Sequence, residues 1–255
     1  MISQSFIKKI TLKYHHEGFL KKSFSWLLSF LFINKISLRS LWVKKASWFG
    51  TFMFGNCLLI LFPFAFGTEV LKRNDIQMGT YWMMNEFISV LSLNRIFSAE
   101  QESSGLDYLL ASTTPRFCII AGKISFTAIQ ILSLQIPLTF FWILWYNVSS
   151  ITLLNFLSIL FPLILVFNCG TASLGTLIAC LTARSAAKEI LQPMLFFPLQ
   201  SGILLAAVTL SLHAGGGDLL LTSAFNPQAW WTLLITYPII FTVLCFLFSK
   251  VLLQE

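Results

Sequence analysis

The feature that most limits what this chain can fold into is a succession of six long apolar runs, at about 46–67, 80–97, 117–146, 151–180, 190–212 and 229–250. A run of roughly 18 or more apolar residues is long enough to cross the hydrocarbon core of a bilayer as an α-helix. Composition agrees. The chain is 56% hydrophobic and only 11% charged, carries 26 Phe, and has a mean hydropathy of +0.79. The expected fold is an all-α integral membrane protein with six transmembrane helices. No stretch is long or polar enough to form a separate soluble domain. The expected organisation is a basic cytoplasmic arm over 1–45 and one membrane domain over 46–255.

Basic residues set the orientation. Nine of the 17 Lys and Arg precede the first run: Lys8, Lys9, Lys13, Lys21, Lys22, Lys35, Arg39, Lys44 and Lys45. Cytoplasmic flanks of membrane helices carry an excess of Lys and Arg, so the arm belongs inside. With six alternating spans, Arg95, Arg116, Lys123, Arg184, Lys188 and Lys250 also fall at inner ends, and only Lys72 and Arg73 lie outside. Both termini are then cytoplasmic. Trp82, Trp142, Trp145, Trp230 and Trp231 fall at outer ends and Trp42 and Trp48 at the inner one, as interfacial belts would. The formal net charge of +7 is therefore mainly a topology signal, and no basic stripe outside the membrane flanks suggests a nucleic-acid partner.

Residues 24–33, FSWLLSFLFI, follow a basic segment as in a signal peptide, but ten apolar residues are too few to span and NKISLRSLWVKK follows. The reading is a helix lying in the inner interface, its basic residues among the headgroups. A mitochondrial presequence is the alternative. Six of the eight prolines, Pro63, Pro137, Pro162, Pro193, Pro198 and Pro238, sit inside spans, where each removes a backbone donor and favours a bend. Thr171 and Gly175 form a small-xxx-small pair where another helix can approach closely. The five Cys are scattered singly in apolar segments without metal-ligand spacing and read as small buried hydrophobes.

Catalytic patterns are missing. The chain has no Ser/His/Asp set, no HExxH, no pair of carboxylates inside the spans and no phosphate-cradling GxxxxGK[ST]. If ATP drives this protein, another subunit binds it. The expectation is a non-catalytic membrane subunit with no metal and no directly bound cofactor. Glu86, with Asn85 beside it in YWMMNEFISV, is the one carboxylate well inside a span. Intramembrane ionisable residues are costly and are functional candidates by default. A carboxyl hydrogen-bonded within the bundle is the plainer reading. His213, alone at the outer end of the fifth run, reads as a solvated or hydrogen-bonded side chain rather than a ligand.

The stretch NRIFSAEQESSGLDYLLASTTP, residues 94–115, joins the second and third runs on the cytoplasmic side. Ser104 with Asp107 fits a capping pattern, so a helix can begin near Gly105. Leu106, Leu109 and Leu110 share one face of such a helix. Thr114-Pro115 is a second helix start, with Thr as cap and Pro in the first position. From spacing alone, this acidic, half-apolar segment suits either docking into a soluble partner or lying solvated on the headgroups.

These residues also carry a resemblance. The chain resembles the heme exporter protein B (CcmB) family over about 36–250. The blocks are LFPFAFGTE with Pro63, Gly67 and Glu69; Gly79 and Trp82; Arg95-Ile-Phe97 followed by the acidic patch, Leu106-Asp107, Leu109, Pro115 and Lys123; and GTASLGTLIACLTA with Pro193 and Pro198. Departures are Asn94, the Ser104-Gly105 order, Gly202 and the pair Asn85-Glu86. The resemblance implies an ABC-2 type, type V exporter-like permease fold. It implies a permease subunit of cytochrome c maturation, with heme as possible substrate; the N-terminal arm favours a bacterial inner membrane, with the mitochondrial inner membrane as the alternative. The implied partners are a cytoplasmic ABC ATPase, other maturation membrane subunits, a heme chaperone and a second copy of the chain. Arg95, Glu100, Glu102, Gly105, Leu106, Asp107, Leu109 and Pro115 would couple the ATPase, and Pro63, Pro193 and Pro198 would bend helices. A generic ABC-2 exporter of a lipid or small hydrophobic compound is the alternative, and a non-transport scaffold for heme-handling partners is a third class.

Overall fold

The computed structural model describes residues 45–67, 73–102, 116–146, 150–182, 185, 187–214 and 226–248. The arm 1–44, and with it the expected interfacial helix, lies outside the described residues. The described residues form six helices: α1 Lys45–Phe66, α2 Asn74–Glu102, α3 Arg116–Trp145, α4 Ser150–Thr182, α5 Lys188–Ala214 and α6 Pro227–Leu247. Five of them contain a segment long and apolar enough to cross a membrane: Ala46–Phe66, Phe117–Trp145, Ser158–Thr182, Ile190–Ala214 and Pro227–Leu247. α2 is long enough but too polar to join them on composition, since Asn85, Glu86, Asn94 and Arg95 lie along it.

Burial explains how such a helix is accommodated. α2 packs against α1, α3, α4 and α5, and most of its side chains from Gln77 to Leu93 are buried. α4 packs against α2, α3, α5 and α6, and its C-terminal half is almost wholly enclosed. α1 and α6 are the most exposed helices, and Phe64, Leu61, Ile239 and Ile240 point outward from them. The outer surface is thus apolar while polar side chains turn inward, the arrangement a bilayer favours.

Local chemistry sets the helix ends. Gly67 closes α1 with φ +83°, a left-handed conformation that glycine adopts without a Cβ penalty, and its N–H reaches the Pro63 carbonyl at 3.0 Å. α6 starts two residues before the expected 229 because the Asn226 side chain accepts from the Gln228 N–H at 3.1 Å and Pro227 follows as the first helical residue. All six span prolines lie inside helices. Pro63 cannot bond the carbonyl of Leu59, and the Tyr146 hydroxyl donates to that oxygen at 3.4 Å.

Two expectations need correction. Trp82 and Trp142 are not interfacial; both are fully buried. Trp82 tilts against Phe167 with ring centroids 4.8 Å apart, and its Nε1–H donates to Ser211 Oγ at 3.0 Å. A tryptophan whose N–H finds a partner inside the bundle gains more by packing than by sitting at headgroup level. Trp145 is exposed. The cysteines divide as well: Cys118 and Cys245 are buried, whereas Cys57 and Cys169 are exposed. An uncharged thiol on an outward face costs little where the surroundings are lipid.

Candidate functional site

Polar residues scattered singly through the apolar runs meet in two groups inside the bundle. On one side, the Thr139 hydroxyl donates to the Gln135 carbonyl at 2.7 Å, which leaves the Tyr81 hydroxyl to donate to Thr139 Oγ1 at 2.9 Å. One turn further along, Asn85 Nδ2 donates to the Tyr81 carbonyl at 2.9 Å. Asn168 Nδ2 on α4 donates to Gln135 Oε1 on α3 at 2.6 Å. Asn85, Gln135 and Asn168 are all essentially inaccessible. α2, α3 and α4 are therefore joined by amides and hydroxyls as well as by hydrocarbon.

On the other side, Gln200 Nε2 of α5 donates to Thr171 Oγ1 of α4 at 2.6 Å. The Tyr237 hydroxyl of α6 donates to the Leu199 carbonyl at 3.0 Å and lies 3.4 Å from Gln200 Oε1. Glu86 is within electrostatic reach of Tyr237. Glu86 is 2% exposed, and its Oε2 has no hydrogen-bond partner among the described residues. Asn85 and Glu86 are successive residues on a helix, about 100° apart at 3.6 residues per turn, so the two side chains face different parts of the bundle.

The Thr171/Gly175 pair does what its spacing suggests. Thr171 receives Gln200, and Gly175 receives α2: a Cβ built on Gly175 would meet the Leu93 side chain, with Cδ1 at 2.6 Å and Cγ at 3.1 Å. A small residue here lets the two most enclosed helices approach closely.

Of the expected coupling residues, Arg95, Glu100 and Glu102 lie on the last turns of α2, which runs five residues past the expected end of its span. Glu100 and Glu102 thus belong to α2. Gly105, Leu106, Asp107, Leu109 and Pro115 lie outside the described residues. α3 begins at Arg116, one residue after Pro115, where the Thr-Pro signal puts a helix start. His213 is exposed at the end of α5. An apolar cavity of about 240 Å³ between α1 and α2, lined by Phe62, Phe66, Ile76, Gly79, Thr80 and Met83, is separate from the polar clusters.

Sequence reasoning singled out Glu86 and Asn85 but passed over Gln135, Asn168, Gln200 and Tyr237. The available signal was the cost of an amide inside a membrane span, which applies to Gln135, Asn168 and Gln200 as it does to Asn85.

The sequence pattern of CcmB proteins matches residues 29–247 of the chain. The chain belongs to the CcmB family. This agrees with the resemblance carried by the blocks around Pro63, Arg95, Gly175 and Pro193. The match covers all six helices, so the CcmB assignment applies to the whole bundle and not to one segment of it. A search of curated proteins gave no match. Membership makes this CcmB chain a multi-pass membrane protein of the heme-transport and cytochrome c biogenesis class, a permease-type subunit.

Proposed function

We propose that the chain is the membrane subunit of an ABC-type complex for cytochrome c maturation, and that α2 links a cytoplasmic ATPase to the bundle. The ATPase would dock on residues 98–115 through Glu100, Glu102, Gly105, Leu106, Asp107, Leu109 and Pro115, with Arg95 just before them on α2. The observation that carries this reading is the form of α2. It is one unbroken helix of 29 residues, about 43 Å long at 1.5 Å per residue. One end leads into 98–115 and the middle is held by four other helices. A force applied at its inner end has a stiff element to act through and packed neighbours to act upon.

α2 crosses the bilayer as the second of six spans in this reading, although its composition is too polar for it to cross alone. Its polar groups face other helices, and a helix lodged among membrane-crossing neighbours need not be apolar itself. Six crossings also keep Arg116 and the basic arm on the cytoplasmic side. The complex would contain two copies of the chain, work beside other maturation subunits and a heme chaperone in a bacterial inner membrane, and use ATP bound on its partner. Heme is the transported or released species. The family match favours this role over a generic exporter of a lipid or small hydrophobic compound.

Cysteine substitutions at Leu106, Asp107 and Leu109, cross-linked in the assembled complex, test the docking. Capture of the ATPase subunit is expected, and its failure in an intact complex would refute the coupling role. Deletion of the chain should abolish heme staining of c-type cytochromes, and intact holocytochromes would refute the maturation role.

A further inference from the structure

Three amides at the junction of α2, α3 and α4 each keep one polar group without a partner among the described residues: Asn85 Oδ1, Gln135 Nε2 and Asn168 Oδ1. All three side chains are at least nine-tenths buried. Asn168 donates to Gln135, the Gln135 backbone carbonyl accepts from Thr139, and Asn85 lies one turn along α2 from Tyr81, which bonds Thr139. Leaving such groups unmade costs about 1–3 kcal/mol each.

The pattern continues inward. Along the antiparallel pair α2 and α3, with Tyr81 level with Thr139, Asn85 comes level with Gln135. Ser92 and Thr127 come level to within one residue, and their hydroxyl oxygens also lack partners among the described residues. One seam thus carries polar groups through the middle of an otherwise apolar bundle.

We propose that this seam is an internal hydration site, with water bound between Asn85, Gln135 and Asn168. The donor count selects the ligand. Two acceptors, Asn85 Oδ1 and Asn168 Oδ1, and one N–H donor group, Gln135 Nε2, are what a water molecule with two hydrogens and a free lone pair satisfies. A metal cation does not fit, because the Gln135 amide turns hydrogens toward the site where a hard cation needs oxygen. The water joins α2 to α3 and α4 through bonds that can exchange partners, whereas the direct Tyr81–Thr139 bond fixes the outer end. The inference stands on the amide geometry and does not depend on the exporter role.

The test is X-ray radiolytic hydroxyl labelling of the full chain in lipid nanodiscs, read by mass spectrometry after rapid mixing with ¹⁸O-water. Tyr81 is fully buried, so bulk water does not reach it. The expected result is hydroxylation of Tyr81, with ¹⁸O entering more slowly than at the exposed Trp145. The combined variant Asn85→Leu, Gln135→Met, Asn168→Leu should lose the Tyr81 label and keep the Trp145 label. An unlabelled Tyr81 in the native chain overturns the proposal, and so does a label that persists in the folded variant. If the triple variant does not fold, Asn168→Leu alone supplies the comparison, with a weakened Tyr81 label expected and an unchanged one counting against the site.

Discussion

Replacing Gly175 by valine tests how tightly α2 and α4 are packed. A Cβ at this position would lie 2.6 Å from Leu93 Cδ1 and 3.1 Å from its Cγ. Moving the methyl groups alone does not relieve the clash, because the branch carbon is also too close and Leu93 is only 1% exposed. Forcing extra carbons into a packed interior costs about 1–3 kcal/mol. The helix-propensity gain of valine over glycine returns only about 0.3 kcal/mol of that. A net loss near 2 kcal/mol corresponds to a midpoint lowered by about 4–8 °C for a chain of this size, by the relation for soluble domains. Leu93→Ala alone should destabilise by about 2–5 kcal/mol through the cavity it leaves. Combined with Gly175→Val it opens the space the valine needs, so the double variant should fall short of the sum by about 1–3 kcal/mol. Thermal unfolding of the four proteins in one nanodisc preparation reads the cycle. A Gly175→Val chain as stable as the parent, or strictly additive effects, would show that α2 and α4 are not in the close contact described.

Other outcomes follow from the same geometry. Glu86→Gln should leave assembly intact and reduce heme attachment to c-type cytochromes; normal maturation at normal expression would remove Glu86 from the mechanism. Tyr237→Phe deletes the donor to the Leu199 carbonyl and should cost about 1 kcal/mol in thermal unfolding, an effect that vanishes if that bond is not made. Gly67→Ala places a Cβ on a residue with φ +83° and should cost about 1–2 kcal/mol; no change would mean α1 ends in another way. Arg73 and Asp75 form an exposed ion pair at 2.6 Å, and the Arg73 hydrogen bonds hold the Asp75 carboxyl below its ordinary value. A depressed carboxylate contributes stability above its unfolded-state pKa and loses it as pH falls through the folded one. Since exposed pairs contribute little, Asp75→Asn should leave the neutral-pH midpoint in place and slightly flatten the acid limb of a pH titration. A large loss at neutral pH would contradict the exposed geometry.

Much of this protein was legible because a membrane leaves a chain few choices. Apolar length put five crossing helices within a few residues of their observed limits, and small-residue spacing located the α4 contact at Thr171 and Gly175. The blocks around Pro63, Arg95 and Pro193 carried the family resemblance. Periodicity and composition register how much hydrocarbon a helix carries and say little about which neighbour it meets. That is why Trp82 and Trp142 read as belt residues when packing places them in the core. It is also why Cys57 and Cys169 read as buried.

The site divides in the same way. Glu86 and Asn85 stood out from the sequence because charge and amide are costly inside a span. Their surroundings did not, because Gln135, Asn168, Gln200 and Tyr237 lie about 50 to 150 residues away along the chain and come together only when the helices pack. The sequence by itself determined an all-helical membrane bundle, its family and the polar outlier in its second helix. Tertiary structure alone decided that this helix lies among the others, with its polar groups turned onto polar neighbours. A buried hydrogen-bonding group is stabilised only by the partner it meets in space, and spacing along one helix does not specify that partner.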